Sequence, residues 1–472
     1  MKSTFTDFSL FCGKEIPQKM FKSINPFDGK IIEEYVTYTD HEISQIITDQ
    51  HTAFSEWKQF PVENRATAIA YLGKKLKEKE AELARLITLE MGKPITESLS
   101  EIRKCVWLCE HYALEGAKQL QDEVIKTEAQ ASYVSFEPKG IIFGIMPWNF
   151  PFWQVLRFAI PTLLAGNVVL LKHAPNVSGC ALAIEKLMLE AGFNESVFRI
   201  VIMEAERSEM IISHPFVQGV TITGSAKAGA SVASLAGKYL KKSVMELGGS
   251  DPLIAFADAG LAVCCEAATS SRMMNAGQVC IAAKRFIVER PIFDSFVAQQ
   301  KTALEALALG DPLSESTQIG PMARPDLVAK IDDQVKKSLK MGAKLITGGE
   351  VWKKNPAFYR PTLLTGITSE MPVYQEETFG PVAVVIPFDT VDEAIKLAND
   401  TAYGLGASIW SKDIDKAKRV ASQLETGAVF INSITKSDPR LPFGGTKQSG
   451  YGRELANFGM HEFMNIKTNW IQ

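Results

Sequence analysis

The sequence predicts an α/β protein of more than one lobe, and three observations carry that expectation. From Gly140 to Leu247, short apolar segments alternate with amphipathic ones. That is the pattern of a parallel sheet covered on both faces, a nucleotide-binding architecture whose pattern alone fixes no ligand. After Gly248-Gly249 a second alternation of the same kind begins. The chain has 472 residues, too many for one ordinary core, so two or three domains are expected.

Residues 1 to about 50 read as a strand-rich lead-in with a turn at Asn25-Pro26-Phe27-Asp28-Gly29. From Ile43 to about Gln121, apolar residues recur at helical spacing, as in Ala68, Ala70, Leu72, Leu76, Leu83, Leu86 and Leu89. Met91-Gly92-Lys93-Pro94 breaks that run. Ala131 to Glu137 is strand-like and is placed to leave the domain body and pair with another subunit. Strands are expected at Gly140–Met146, Asn167–Leu171, Val197–Val201, Gly219–Thr223 and Ser243–Leu247, and helices at Ser178–Ala191, Glu206–Ser213 and Ala226–Tyr239. The second alternation places helices near 259–274, 291–307, 324–340, 391–399 and 412–424. Its strands fall near 252–256, 285–289, 381–387, 405–410 and 427–431, and Asn465 to Ile471 reads as an edge strand.

Hydrophobic content of 46% and charged content of 22% are those of a soluble globular protein. A net charge of −3 calls for neither nucleic acid nor an anionic membrane. No apolar run approaches the roughly 20 residues that span a bilayer. The opening MKSTFTDFSL lacks the pattern of a secretory signal. The seven cysteines (12, 105, 109, 180, 264, 265 and 280) are scattered without a CxxC pair, which predicts reduced thiols in a cytoplasm. Cys105 and Cys109, at i and i+4, are expected to pack in a core. The six histidines form no metal motif, so no metal is expected.

Several residues stand where chemistry is feasible. Cys280 closes Asn275–Cys280 (NAGQVC), a polar loop between a helix-like and a strand-like run, where a substrate can reach a thiol; the alternative is a buried structural cysteine. Thr223-Gly224-Ser225 joins a strand to a helix, with free N–H groups for a phosphate or simply an ordinary turn. Lys172 ends an apolar strand, where parallel sheets bind ligands, or else it is solvated. Glu246 ends another strand before Leu247-Gly248-Gly249, whose two glycines leave space beside it; desolvation there raises a carboxylate towards the general-base range, or else it is a capping or turn carboxylate. Asn149, in the stiff turn Pro147-Trp148-Asn149-Phe150-Pro151, suits either an oxyanion or a local turn hydrogen bond. In Glu376-Glu377-Thr378-Phe379-Gly380-Pro381 an acid is placed to hold a ribose hydroxyl, or both acids are surface charge.

Together these segments resemble the NAD(P)-dependent aldehyde dehydrogenase superfamily over essentially the whole chain. The motifs are PWNFP at 147–151, the lysine after NVVLL, TGS at 223–225, MELGG at 245–249, GQVC at 277–280, EETFGPV at 376–382 and PFGGTKQSGYGREL at 442–455. The resemblance implies a Rossmann-like cofactor domain (1–120 and 139–247), an α/β catalytic domain (248–455) and a small β oligomerisation element (121–138 and 456–472). It implies that Cys280 attacks the aldehyde, that Asn149 and the Cys280 N–H stabilise the oxyanion, and that Glu246 activates the water that hydrolyses the thioester. Trp148, Lys172, Pro175, Gly224, Ser225, Glu377 and Phe379 match cofactor contacts. Members that prefer NAD often carry a glutamate three residues after this lysine; here it is Pro175, so NADP is expected, with NAD usable. A homodimer or homotetramer is implied, with strands near 125–138 and 459–472 bridging subunits.

Arg157 lies eight residues after Asn149, about two helical turns on, where it is placed to bind a substrate carboxylate or form a structural ion pair. Succinate-semialdehyde dehydrogenases carry an arginine at this position and a serine matching Ser437; a second arginine found in one branch is here Met274, with Lys436 and Arg440 as possible substitutes. FWQVLRFAIP with LLKHAPN is similar to another bacterial branch of that group. Succinate semialdehyde is therefore the expected substrate. Glutarate semialdehyde, an aminoaldehyde or an aromatic aldehyde is the alternative, and transfer to coenzyme A or a non-catalytic use of the fold stands further off. Ile281 and Ala282 leave no neighbouring thiol for a disulfide switch.

Overall fold

The structure is a computed structural model that describes residues 18–472, so Cys12 and the start of the lead-in lie outside the described residues. The described chain opens with an antiparallel hairpin, Met20–Ile24 with Ile31–Val36. Its turn is the expected one: the Asn25 side chain accepts from the Phe27 N–H at 2.9 Å, and Gly29 takes φ +72°.

Four helices follow, Asp40–Trp57, Val62–Glu78, Glu80–Met91 and Ile95–Glu115. Thr39 and Glu42 form a capping box at the start of the first. Ile69, Leu72, Leu76 and Leu83 are buried, whereas Ala70 faces solvent, so the buried stripe is narrower than the sequence suggested. The break at Met91 is a left-handed cap, with Gly92 at φ +82°.

The first large sheet has six strands in the order Gly450–Tyr451, Lys242–Glu246, Val217–Thr223, Ile141–Met146, Val168–His173, Phe198–Ile200. All neighbours are parallel except the Gly450–Tyr451 edge. The chain runs outward from Ile141–Met146 in one direction, then returns to build the other side. The switch point thus lies between the carboxyl ends of Ile141–Met146 and Val217–Thr223, the place where such sheets hold a ligand. Pro147-Trp148-Asn149 leaves one of those ends and Gly224-Ser225 the other.

The second sheet has seven strands in the order Lys344–Thr347, Thr362–Thr365, Val382–Phe388, Ala283–Glu289, Asp251–Ala255, Gly406–Trp410, Ala428–Ile431. Only the Lys344–Thr347 edge is antiparallel. Five of these strands match the sequence reading to within two residues. The pair Lys344–Thr347 and Thr362–Thr365 was not anticipated, because four-residue strands carry too short a pattern.

Ala131–Pro138 pairs along its length with Met464–Ile471 of the same chain, and Glu123–Val124 adds a third strand. Val124 (81% exposed) and Ile466 (60%) leave apolar surface on this small sheet. Among the described residues no helix is long and apolar enough to cross a membrane.

Candidate active site

Cys280 lies between the helix Leu261–Met273 and the strand Ala283–Glu289. The connection is a left-handed turn, with Asn275, Ala276 and Gly277 at φ 52°, 51° and 73°. Two non-glycine residues in that region cost on the order of 1–3 kcal/mol each, so the surroundings must hold them. The Asn275 N–H donates to Glu97 at 2.7 Å, and its side-chain amide donates to the Asn149 carbonyl at 2.9 Å. The Asn149 amide donates to the Gln278 carbonyl at 2.9 Å. Arg272, fully buried, donates to the carbonyls of Gly277 (3.2 Å), Thr378 (2.7 Å) and Val382 (2.6 Å), tying the turn to the 376–382 loop. A side chain at Gly277 would fall on the Gly380 carbonyl. Gly277→Ala is therefore expected to destabilise the protein by about 2–4 kcal/mol, read from the denaturant midpoint.

The Cys280 thiol is half-buried. Burial pushes it up to about 11, while Arg157 and Lys284 pull the other way. Lys284 donates to the carbonyls of Cys280 (2.7 Å) and Val279 (3.0 Å). It therefore fixes the backbone that carries the sulfur as well as supplying charge.

Glu246 is buried at the end of its strand, and neither carboxylate oxygen has a hydrogen-bond partner among the described residues. Burial first, then the nearby Glu454, pushes its carboxyl well above the usual range; Arg157 and Arg453 oppose this. The sequence reading left space for Glu246 beside Gly248-Gly249. The structure gives those glycines a different duty. A side chain at Gly248 would meet Glu377 at 2.5 Å, and one at Gly249 would meet the Cys280 carbonyl at 2.6 Å. The residue that faces Glu246 is Gly444, where an added carbon would sit 2.7 Å from the carboxylate.

On the first sheet, Ser225 caps the helix Ala226–Lys238 by accepting from Ala228 N–H at 3.2 Å. Gly224 has no neighbour closer than 3.7 Å to an added carbon, so the space above it is open. Gly229 instead lies against the Leu247 side chain and serves helix-to-sheet packing. Lys172 is buried, with a 3.4 Å bond to the carbonyl of His173, and Glu206 and Glu204 lie near it. Pro175 is exposed at the start of a short 3-10 turn. Trp148 and Phe379 meet edge to face, with ring centroids 5.8 Å apart. Glu377 accepts from Gly249 N–H at 3.0 Å and lies 3.7 Å from Lys284. An open cradle at a strand-to-helix turn, a buried lysine and an aromatic pair fit a dinucleotide.

A cavity of about 1130 Å³ opens over Cys280. Glu97, Lys104, Trp153, Arg157, Met274, Lys436, Ser437 and Phe443 are among its walls. Arg157 is buried, ion-paired with Glu454, and bonded to Thr223 at 3.3 Å. The structural ion pair among its sequence readings is thus present, and the same side chain forms part of the cavity wall. Arg440 is not among the cavity's lining residues; it pairs with Asp438 at 2.7 Å and is mostly exposed.

Residues 14–469 match the model of the aldehyde dehydrogenase family. The chain belongs to that family.

Among curated relatives, a probable NADP(+) succinate-semialdehyde dehydrogenase of Synechocystis sp. is 43% identical over 95% of this chain and 99% of its own. The NAD(P)+ succinate semialdehyde dehydrogenase Sad of Escherichia coli is 43% identical over 95% and 97%. A solved structure of succinic semialdehyde dehydrogenase from Streptococcus pyogenes with NADP+ superposes with a TM-score of 0.94 at 34% identity, covering 96% of this chain and 99% of that one. Four residues of this aldehyde dehydrogenase site escaped the sequence reading: Arg272, Lys284, Glu97 and Lys104. Each is a charged residue on a regular helix or strand, where local pattern assigns charge to solvent. Glu454 lay within a recognised motif, but its partner Arg157 is almost 300 positions away.

Proposed function

We propose that this protein oxidises succinate semialdehyde to succinate with NADP, accepting NAD less well. The observation that carries the reading is the placement of Cys280. It opens on a cavity that also holds Arg157, beside the ligand-binding end of the first sheet. Its relatives of matching length carry this activity in their names. Cys280 Sγ bonds to the aldehyde carbon as its proton leaves, and the second N–H of the Asn149 amide and the Cys280 N–H receive the negative oxygen. Lys172, Gly224, Ser225 and Glu377 would hold a nicotinamide dinucleotide, which would supply the hydride acceptor. Glu246 then takes a proton from water, whose oxygen attacks the acyl carbon, and the sulfur leaves with the thioester bond broken. A substrate panel tests the proposal; an apolar aldehyde of equal length turned over as efficiently would overturn it.

Cys280 acts without its proton, and burial pushes the thiol up to about 11. The thiolate is therefore scarce at neutral pH, and kcat/KM is expected to climb from pH 7 towards 9.5. A flat or falling profile contradicts this assignment.

Pro175 itself supplies no carboxylate to the cofactor's adenosine ribose. Pro175→Glu is expected to lower kcat/KM for NADP at least ~10-fold relative to NAD, through repulsion of the 2′-phosphate. An unchanged cofactor ratio would place the selectivity elsewhere.

The exposed apolar side chains of Val124, Ile466, Trp470 and Ile471 support assembly through the small sheet, as a homodimer or homotetramer. Light scattering reads this directly. We assign the enzyme to the cytoplasm on the strength of its unpaired thiols, Cys105, Cys109, Cys180, Cys264, Cys265 and Cys280.

A further inference from the structure

We propose that Lys104 is a substrate-binding residue that, with Ser437, holds the carboxylate of the aldehyde acid. The inference rests on the succinate semialdehyde reading and names the residue that selects for it.

The cavity contains charged groups of both signs, and most are already matched. Arg157 is ion-paired with Glu454. Glu101 is ion-paired with Lys93, and its other oxygen accepts the N–H groups of Phe152 and Trp153, both at 2.9 Å. Glu97 is engaged with the Asn275 N–H, and burial pushes its carboxyl up to about 7. Among the cations that are not exposed, Lys104 is the exception, whereas Lys436, also in the wall, is exposed to solvent. Lys104 is half-buried, it lines the cavity, and among the described residues no carboxylate lies within ion-pair distance of it. Its contacts are the Ser437 hydroxyl, 2.8 Å away, and the face of Trp153, 4.1 Å from the ring centroid.

An ammonium has three N–H donors, and one of them goes to Ser437. Because Ser437 accepts that bond, its own O–H remains free to donate. A carboxylate placed between the two would receive one bond from a cation and one from a hydroxyl. Burial, and then Arg157, push the Lys104 ammonium down to about 8, so the site gains from an anion there. Helix geometry gives the direction. Glu97, Ser100, Glu101 and Lys104 share the face of Ile95–Glu115 that lines the cavity. The Glu97 end holds the turn that carries the nucleophile. Lys104 lies about 10 Å further along the axis, away from that turn. Apolar walls from Phe150, Trp153, Ile281 and Phe443 lie between polar ends, which suits a short chain with an aldehyde at one end and a charge at the other. Met274, also in the wall, offers no charge.

The test compares succinate semialdehyde with butanal in the wild-type protein and in Lys104→Met and Lys104→Arg. The quantity read is the ratio of kcat/KM for the two aldehydes. In Lys104→Met it is expected to fall by about 30-fold, the worth of one charged hydrogen bond, with the loss in KM rather than kcat. Lys104→Arg is expected to recover part of it. Melting temperatures report on folding, and Lys104→Gln, which keeps a donor towards Ser437, gives the same comparison if the methionine variant misfolds. A wild-type preference for succinate semialdehyde that survives in both neutral variants overturns the assignment of Lys104 alone. A wild-type protein with no such preference overturns the substrate reading, and this proposal with it.

Discussion

Cys280→Ala is expected to lower turnover by about 10⁴-fold or more, because the proposed reaction holds the acyl carbon on this sulfur. In the proposed reaction the sulfur bonds to the substrate, stays attached while hydride leaves, and departs from the thioester. Losing it removes the pathway rather than weakening one interaction. The other described cysteines are buried in apolar cores: Cys105, Cys109 and Cys180 in the first lobe, and Cys264 and Cys265 in the second. Cys265 also borders the cavity, but it is only 4% exposed and belongs to the helix Leu261–Met273 rather than to the 275–280 turn. The change should leave the melting temperature nearly unaltered, since a half-buried side chain loses one atom. Cofactor binding, followed by the quenching of protein fluorescence, should persist. Turnover in the alanine variant within tenfold of wild type would place the nucleophile elsewhere.

Glu246→Gln is expected to separate the two halves of the reaction. The amide keeps the shape of the side chain and cannot accept a proton from water. Acylation should proceed and hydrolysis should stall, so the first turnover appears as a burst of reduced cofactor near one equivalent per active site. The steady-state rate that follows should fall by about 10²- to 10⁴-fold, the usual contribution of a positioned base. Folding should not suffer. Glu246 is buried beside Glu454, so the neutral amide relieves a like-charge pair. Without a burst, and with the steady state unchanged, Glu246 would not be the base for hydrolysis.

How much of this could be read from the chain depends on the range of the interaction. Ser225 is legible because an N-cap is a local event, three residues across. The strand Val168–His173 and its terminal lysine are legible because a continuous apolar run in a parallel sheet is itself a signal. Gly248 and Gly249 are legible as glycines but not as to purpose, since the atoms that crowd them belong to Glu377 and Cys280. Arg272 is not legible at all. On a helix of mixed character an arginine reads as solvated, yet it is buried and satisfies carbonyls from two loops that meet only in the folded chain.

By itself the sequence determined the order of the elements, the loop that carries Cys280, the switch-point turns and the family, because periodicity and short motifs carry those over a few residues. Tertiary structure alone decided the charge balance of the cavity. It gave Arg157 a carboxylate partner in Glu454 and left Lys104 without one. The reason is physical: a helical period tells which face a charged side chain occupies. The strength and availability of that charge depend on burial and on what the rest of the fold brings within a few ångströms.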